Sequence, residues 1–261
     1  MAEAKYNTIG NNYNITRRAD PYLTKTLYQL LNPKPKKLYL DIGCGTGNYT
    51  NALYTKGVSF IGVDPSSKML NEAKIKHPNI YFRIGTSEVI PLDSNSIDGC
   101  IATLTLHHWN SLKLGFSELF RVLKPNSNLV VFTSTPQQME GYWLNHYFPK
   151  MLKDSMKQMP TFEIVREALI DSGLTNIEIK DYSIKPDLQD LFLYSGKHNP
   201  ELYFNESVRQ GISSFSSLAN KKEVEDGLLT LRRDIDSGKI GRIINHYKND
   251  NGDYLFIKAK K

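Results

Sequence analysis

Cysteine is scarce in this chain, with two among 261 residues. Cys44 lies inside a glycine-rich stretch and Cys100 inside the apolar run Cys100-Ile-Ala-Thr-Leu104. Both read as small buried thiols of a reducing compartment, which excludes a disulfide framework and a zinc site. Long apolar runs are missing too. No window approaches the roughly 20 residues of a membrane-spanning helix, and Met1-Ala-Glu-Ala-Lys5 opens no apolar signal core. A cytoplasmic protein with no membrane partner is therefore expected. The histidines at 77, 107, 108, 146, 198 and 246 have neither the spacing nor the neighbouring acids of a metal site, so no metal is expected. The net charge of +6 permits an acidic partner. Its lysines, however, are scattered (Lys56, Lys68, Lys74, Lys76, Lys221, Lys222), and the tightest basic cluster is the terminal Lys258-Ala-Lys-Lys261. That distribution suits solvated faces and a tail and argues against a phosphate-tracking nucleic-acid surface.

What is present is an ordinary globular composition, 40% hydrophobic and 23% charged. From Lys36 to Thr135 strand and helix signals alternate, as in parallel βαβ units. Asp20-Pro21 starts a helix whose apolar face is Leu23, Leu27, Leu30 and Leu31. Strands are expected at Leu38–Ile42, Phe60–Asp64, Ile80–Ile84, Asp98–Leu104 and Asn128–Thr133. Between them, helices follow the glycine stretch as far as Gly57, run from Pro65 to about Lys76, and run from Leu112 to a stop before Pro125. Thr161–Ser172 reads as a helix, Asn176–Ile184 as a strand and Asp253–Ala259 as the last strand. The 185–251 segment is too long for a loop in a compact domain. It carries helical patterns near Leu191, at Val224–Leu231 and at Ile235–Tyr247, and reads as a structured insertion that shapes a pocket. The expected fold is α/β: a Rossmann-like doubly wound seven-stranded sheet, mostly parallel with the last strand antiparallel, plus a helical cap insertion. The expected division is residues 1–35 as an N-terminal helical segment, 36–184 with 252–261 as the core, and 185–251 as the cap.

Ligands of an open parallel sheet bind beyond the carboxyl ends of its strands. There the sequence places Leu38-Tyr-Leu-Asp-Ile-Gly-Cys-Gly-Thr-Gly47, an apolar strand ending at Asp41 and running into glycines 43, 45 and 47. Glycines let the backbone approach a ligand where a Cβ would collide, and the following helix presents free N–H groups. Asp64 ends the second strand, where a carboxylate suits a bidentate grip on two ribose hydroxyls. Gly85-Thr-Ser-Glu-Val-Ile-Pro-Leu92 follows the third strand and Thr103-Leu-Thr-Leu-His-His-Trp109 the fourth. The spacing lacks the third glycine of a G-x-G-x-x-G dinucleotide turn, since position 48 is Asn and position 50 is Thr.

Together these words resemble the class I S-adenosylmethionine-dependent methyltransferases, of the small-molecule type called methyltransferase type 11. The resemblance covers residues 38–134. It rests on Leu40-Asp-Ile-Gly-Cys-Gly-Thr-Gly47, Gly62-Val-Asp-Pro-Ser66, Ser87-Glu-Val-Ile-Pro-Leu92, Ser96-Ile-Asp98, Leu106-His-His-Trp109 and Glu118-Leu-Phe-Arg-Val-Leu-Lys-Pro125. It implies S-adenosyl-L-methionine as cofactor. The backbone of Gly43, Cys44, Gly45 and Gly47 would pass under its methionine part, Asp41 would fix its ammonium, and Asp64 its ribose. Pro65 would belong to the cofactor site, Ser66 or Ser67 would flank the adenine, and Thr103 and Leu104 would contact the methionine. After the third strand the family often carries an Asp on the adenine amine; this chain has Thr86, so Thr86 or Ser87 takes that role. The segment Tyr6–Tyr13 with Arg17-Arg-Ala-Asp-Pro21 also resembles the family, and implies Tyr13 and Arg17 over the cofactor.

The implied reaction is methyl transfer to a small-molecule acceptor by in-line displacement, giving S-adenosylhomocysteine. Such an enzyme must hold a nucleophile in line and exclude water. Candidate catalytic residues are His108 and Tyr147, and candidate acceptor contacts are Trp109, Tyr142, His146 and Arg209, the last as an anion clamp. Trp109 and the aromatics of Gln137–Phe148 read equally as core. An RNA or protein acceptor, or a non-catalytic S-adenosylmethionine-binding protein, are the other readings. The cofactor half is similar to trans-aconitate-type and quinone- or sterol-type methyltransferases, and no word in residues 136–251 names the acceptor.

Overall fold

The computed structural model describes residues 16–261. Its chain order begins with helix α1 (Pro21–Leu31). There follow β1 (Leu38–Ile42), α2 (Asn48–Tyr54), β2 (Ser59–Asp64), α3 (Ser67–Lys76), β3 (Tyr81–Ile84), β4 (Ile97–Thr103), α4 (Leu112–Val122) and β5 (Leu123–Thr133). Helices α5 (Pro136–Glu140), α6 (Leu144–Tyr147), α7 (Pro149–Gln158) and α8 (Phe162–Asp171) lead to β6 (Thr175–Tyr182). After α9 (Glu206–Gln210), α10 (Lys221–Asp236) and α11 (Ile240–His246), β7 (Tyr254–Lys260) closes the chain.

The seven strands form one sheet in the order β3-β2-β1-β4-β5-β7-β6. The β1–β5 strands pair parallel, whereas β7 runs antiparallel to both its neighbours. This is the doubly wound sheet expected from the alternating pattern. Strand order reverses beside β1, so the carboxyl ends of β1 and β4 lie together, with Asp41 in register with Ile101. That switch point is where such sheets bind ligands.

Local chemistry accounts for most element ends. Asp20 caps α1 by accepting the Leu23 N–H at 2.9 Å, and Pro21 fills the first helical position. Ser66, Ser111 and Thr161 cap α3, α4 and α8 in the same way. Thr135 and Gln138 form a reciprocal capping box at α5. Three features differ most from expectation. Strand β5 begins at Leu123, five residues early, because Pro125 stops a helix yet tolerates extended backbone, and Leu123 pairs with Ile97 ahead of a register shift. The helical pattern near Leu191 is a turn. There the Leu191 N–H donates to the Thr16 carbonyl at 3.1 Å instead of continuing a helix. The pattern over Ile235–Tyr247 divides, because Gly238 takes φ +73° between α10 and α11.

The sheet is buried on both faces, and strand alternation assigns residues to each. Ile101 and Phe132 face one core with Leu23, Leu27, Trp143 and Tyr203. Cys100 and Val131 face the other with Phe116, Leu119 and Leu169. The first core is rich in aromatics: Phe132 contacts Tyr182, Phe192, Tyr254 and Phe256.

Candidate active site

The turn after β1 takes a conformation that only glycine adopts without strain. Gly43, Gly45 and Gly47 have φ of +71°, +54° and +76°. The Gly43 and Cys44 N–H groups donate to the Val63 carbonyl at 2.7 and 3.2 Å, clamping the turn to β2. A Cβ on Gly43 would collide with Thr105, whereas a Cβ on Gly45 would meet open space. The turn therefore presents bare backbone to a cavity. Cys44 and Cys100 are free thiols, and burial pushes both well above the ordinary thiol pKa.

Asp41 sits on the floor of this cavity, 2% exposed. Burial raises its carboxyl pKa to about 7; the Thr50 hydroxyl, donating at 2.6 Å, opposes the rise, and the charge of Asp64 adds to it. A carboxylate held at such cost would gain from a cation placed beside it. The cavity, about 40 Å³, is also lined by Arg17, Gly43, Gly45, Thr103 and Asp190. The hydroxyls of Thr103 and Thr46 face it with buried oxygens that have no hydrogen-bond partner among the described residues. Unpartnered buried oxygens, an acid that gains from a cation, and a glycine whose missing Cβ leaves space together fit the amino-acid end of S-adenosylmethionine.

Asp190 carried no signal in the sequence. Its carboxylate accepts from the Arg17 guanidinium (Nε at 2.5 Å, Nη2 at 3.2 Å) and from the Tyr49 hydroxyl at 3.1 Å. Around it, Asn48 Nδ2 donates to the Arg17 carbonyl at 3.0 Å, and the Gln189 N–H donates to Asp20 at 3.0 Å. The segment before α1 is thus laced to the stretch after β6 across the mouth of the cavity. Arg17 borders the cavity as expected, but its side chain is engaged by Asp190. Tyr13 lies outside the described residues.

The nucleoside side is arranged differently from the simplest expectation. Both Asp64 oxygens accept backbone N–H groups, from Gly45 at 2.9 Å and Ser66 at 2.8 Å. Asp64 thereby ties the β1 turn to the β2 turn, and a ribose would use its remaining lone pairs. Pro65 is exposed, and Ser66 is the buried cap of α3. The Thr86 hydroxyl accepts the Val89 N–H at 3.2 Å in a turn, and Ser87 is buried.

A second cavity, of about 90 Å³, lies on the far side of the β4 end. Thr103 lines the first cavity and Leu104 the second. Leu104 holds φ +52°, a left-handed conformation that costs a leucine roughly 1–2 kcal/mol, fixed by its N–H donating to the Phe132 carbonyl at 2.8 Å. Strain of this kind concentrates at ligand sites. Arg17 borders both cavities.

Several expected side chains lie elsewhere. His107, not His108, lines the second cavity; both follow β4 in the short 3₁₀ turn Leu106–His108, and the two rings lie against each other with centroids 3.9 Å apart. The Tyr147 hydroxyl donates to Asp234 at 3.1 Å, which ties α6 to α10; burial, followed by that carboxylate, pushes its pKa far up, and Tyr147 borders neither cavity. His146 stands beside the same carboxylate at 3.9 Å. Tyr142 is fully buried, stacked on Tyr194 at 3.9 Å, with its hydroxyl donating to the Asp253 carbonyl. Trp109 packs edge-on to Phe116 over Gly115. Arg209 donates to the Tyr203 carbonyl at 2.6 Å and borders neither cavity. No group of three metal-ligating side chains occurs among the described residues.

Known proteins agree with this geometry. The family described as methyltransferase domain matches residues 40–131. A crystal structure of a candidate methyltransferase from an antibiotic biosynthesis pathway of Anabaena variabilis superposes with TM-score 0.82 at 33% identity, covering 94% of this chain and 99% of that one. An uncharacterized methyltransferase of Mycobacterium tuberculosis is 33% identical over 112 residues, 43% of this chain and 46% of the relative. A demethylmenaquinone methyltransferase of Beutenbergia cavernae is 26% identical over 147 residues, 54% of this chain and 61% of the relative. The match thus spans about half the length of these curated relatives. A parallel sheet with a glycine turn and acids at its switch point defines a nucleotide-type binding protein; the chain belongs to the class I S-adenosylmethionine-dependent methyltransferases.

Proposed function

We propose that the protein transfers a methyl group from S-adenosylmethionine to a small-molecule acceptor. The observation that carries this reading is the pair of cavities meeting at the end of β4, one acidic and backbone-lined, the other walled mostly by apolar side chains. Relatives named demethylmenaquinone methyltransferase support a small acceptor.

The cofactor supplies an electrophilic methyl on a sulfonium, so the protein's tasks are binding, alignment and exclusion of water. Asp41 would hold the ammonium and the Gly43–Gly47 backbone would let the methionine chain lie close. Asp64 would reach the ribose with the lone pairs left over from Gly45 and Ser66, with Pro65, Ser66, Thr86 and Ser87 on the adenine side. Arg17, held by Asp190, would stand between the two ligands. An acceptor hydroxyl must lose its proton as the new bond forms. His107 lines the acceptor cavity and would take that proton at an imidazole nitrogen. We further assign residues 1–35 to covering the cofactor, 36–184 with 252–261 to the catalytic core, and 185–251 to the cap that closes the acceptor side. The location in the cytoplasm belongs to the same reading. Among the described residues no helix is long and apolar enough to cross a membrane.

The test is incubation with S-adenosylmethionine and pooled metabolite extracts. S-adenosylhomocysteine release and a product heavier by one methylene are expected. Binding of the cofactor without release from any extract would instead support a non-catalytic binding protein.

A further inference from the structure

Resting on the methyltransferase reading, we infer that the acceptor is an uncharged, largely apolar molecule the size of a single ring that carries hydroxyl or carbonyl oxygens. The second cavity has the chemistry for this. Leu104, Met139, Met159, Phe192, Ile212 and Leu218 give it apolar walls. No carboxylate among the described residues lines it, so none of them balances a buried ammonium there. Among the described residues its one permanent charge is Arg17, and that charge is already met by Asp190, whose side chain is 2% exposed. An acceptor carboxylate or phosphate would therefore find no uncommitted cation among the described residues and would face the negative charge of Asp190 behind the arginine.

The polar groups that remain suit neutral oxygen. Gln158 and Ser213 line the cavity and make no side-chain hydrogen bond among the described residues. Ser155 donates to Ser214 at 2.7 Å, which leaves the Ser214 hydroxyl hydrogen to donate into the cavity. One amide and two hydroxyls thus present donors and acceptors without net charge. The site has placed polar groups in an apolar enclosure, the usual construction of a small-molecule pocket. Its volume of about 90 Å³ is below the roughly 150 Å³ of an apolar cavity that takes benzene. The flexible Met139 and Met159 allow a single ring, not a polycyclic body, to be seated by side-chain movement.

The test uses the wild-type chain and three probes of one shape: phenol, benzylamine and benzoate. S-adenosylhomocysteine binding is measured first by calorimetry, and each probe is then titrated into the saturated protein by saturation-transfer NMR. Phenol is expected to bind at least tenfold more tightly than either charged probe. Equal or tighter binding of benzylamine or benzoate overturns the inference, as does absence of phenol binding to protein that holds S-adenosylhomocysteine. Failure to bind S-adenosylhomocysteine overturns the methyltransferase reading, and this inference with it. In Ser213→Asp, and in Met159→Glu as a second variant, the new carboxylate should turn the preference toward benzylamine. An unchanged order in folded variants would show that phenol sits elsewhere and overturn the assignment to this cavity.

Discussion

Asp41 couples the site to pH because its carboxyl titrates near 7 when folded and near 4 in an unfolded chain. A raised carboxyl pKa means the folded state holds the proton more tightly. The contribution of this group to stability is therefore fully present below about pH 4 and is lost as pH rises through 7. The melting temperature of the ligand-free wild type should fall relative to Asp41→Asn between pH 5 and pH 8, as differential scanning calorimetry would record. Cofactor binding reverses the sign, because an ammonium needs the ionised form. Affinity for S-adenosylmethionine should weaken about tenfold per pH unit below 7 in the wild type and stay flat in Asp41→Asn. Asp64 makes a separate prediction. In Asp64→Ala the buried Ser66 N–H loses its acceptor, costing roughly 1–3 kcal/mol, the part-buried Gly45 N–H loses its own, and cofactor affinity falls at least tenfold. Unchanged affinity would remove Asp64 from the ribose site. Asp41, Asp64 and the three glycines were legible in the sequence, since their chemistry is local to strand ends. Asp190 was not: its partner Arg17 is 173 positions away, and only the folded chain brings them together. The left-handed Leu104 was equally hidden, because residue type favours other conformations there.

The elements from β1 to β5 could be placed to within a few residues because capping residues, glycines and strand alternation all act over short distances. Beyond β5 that ceases to hold. Helix α7 has a clear start at Pro149, but its reason to exist is the burial of Met151, Leu152 and Ser155 against distant neighbours. The aromatics of Gln137–Phe148 follow the core reading: Tyr142, Trp143, Tyr147 and Phe148 are all buried. The segment before α1 and the stretch after β6 likewise depend on each other, through the Arg17–Asp190 pair and the bonds from Gln189 and Leu191. Breaking one partner of a buried pair costs about 3–5 kcal/mol. Asp190→Ala should lower urea-denaturation stability by that order and weaken cofactor binding, because the lacing across the cavity mouth is lost. A double-mutant cycle with Arg17→Ala should show strong coupling between the two positions. Additive effects would mean that the pair does not connect the two segments.

At the scale of the whole molecule, a ligand that binds only the folded chain stabilises all of it. At one hundred times its dissociation constant, S-adenosylhomocysteine should add about 2.7 kcal/mol, a melting shift on the order of 5–10 °C for a chain of this size. The doubly wound, mostly parallel seven-stranded sheet, its antiparallel final strand and the cofactor end were readable from the sequence, whereas the strand order came only from the folded chain. The acceptor end was not readable either, because its wall is gathered from α5, α7 and the stretches after β4 and β6, which share no local pattern. The most direct test of the central claim is a calorimetric titration of the wild type and Asp41→Asn with S-adenosylmethionine at pH 7.5. One site per chain, weakened at least tenfold in the variant, is the result the account predicts. No binding by the wild type at millimolar cofactor, or equal affinity in the two proteins, would contradict it.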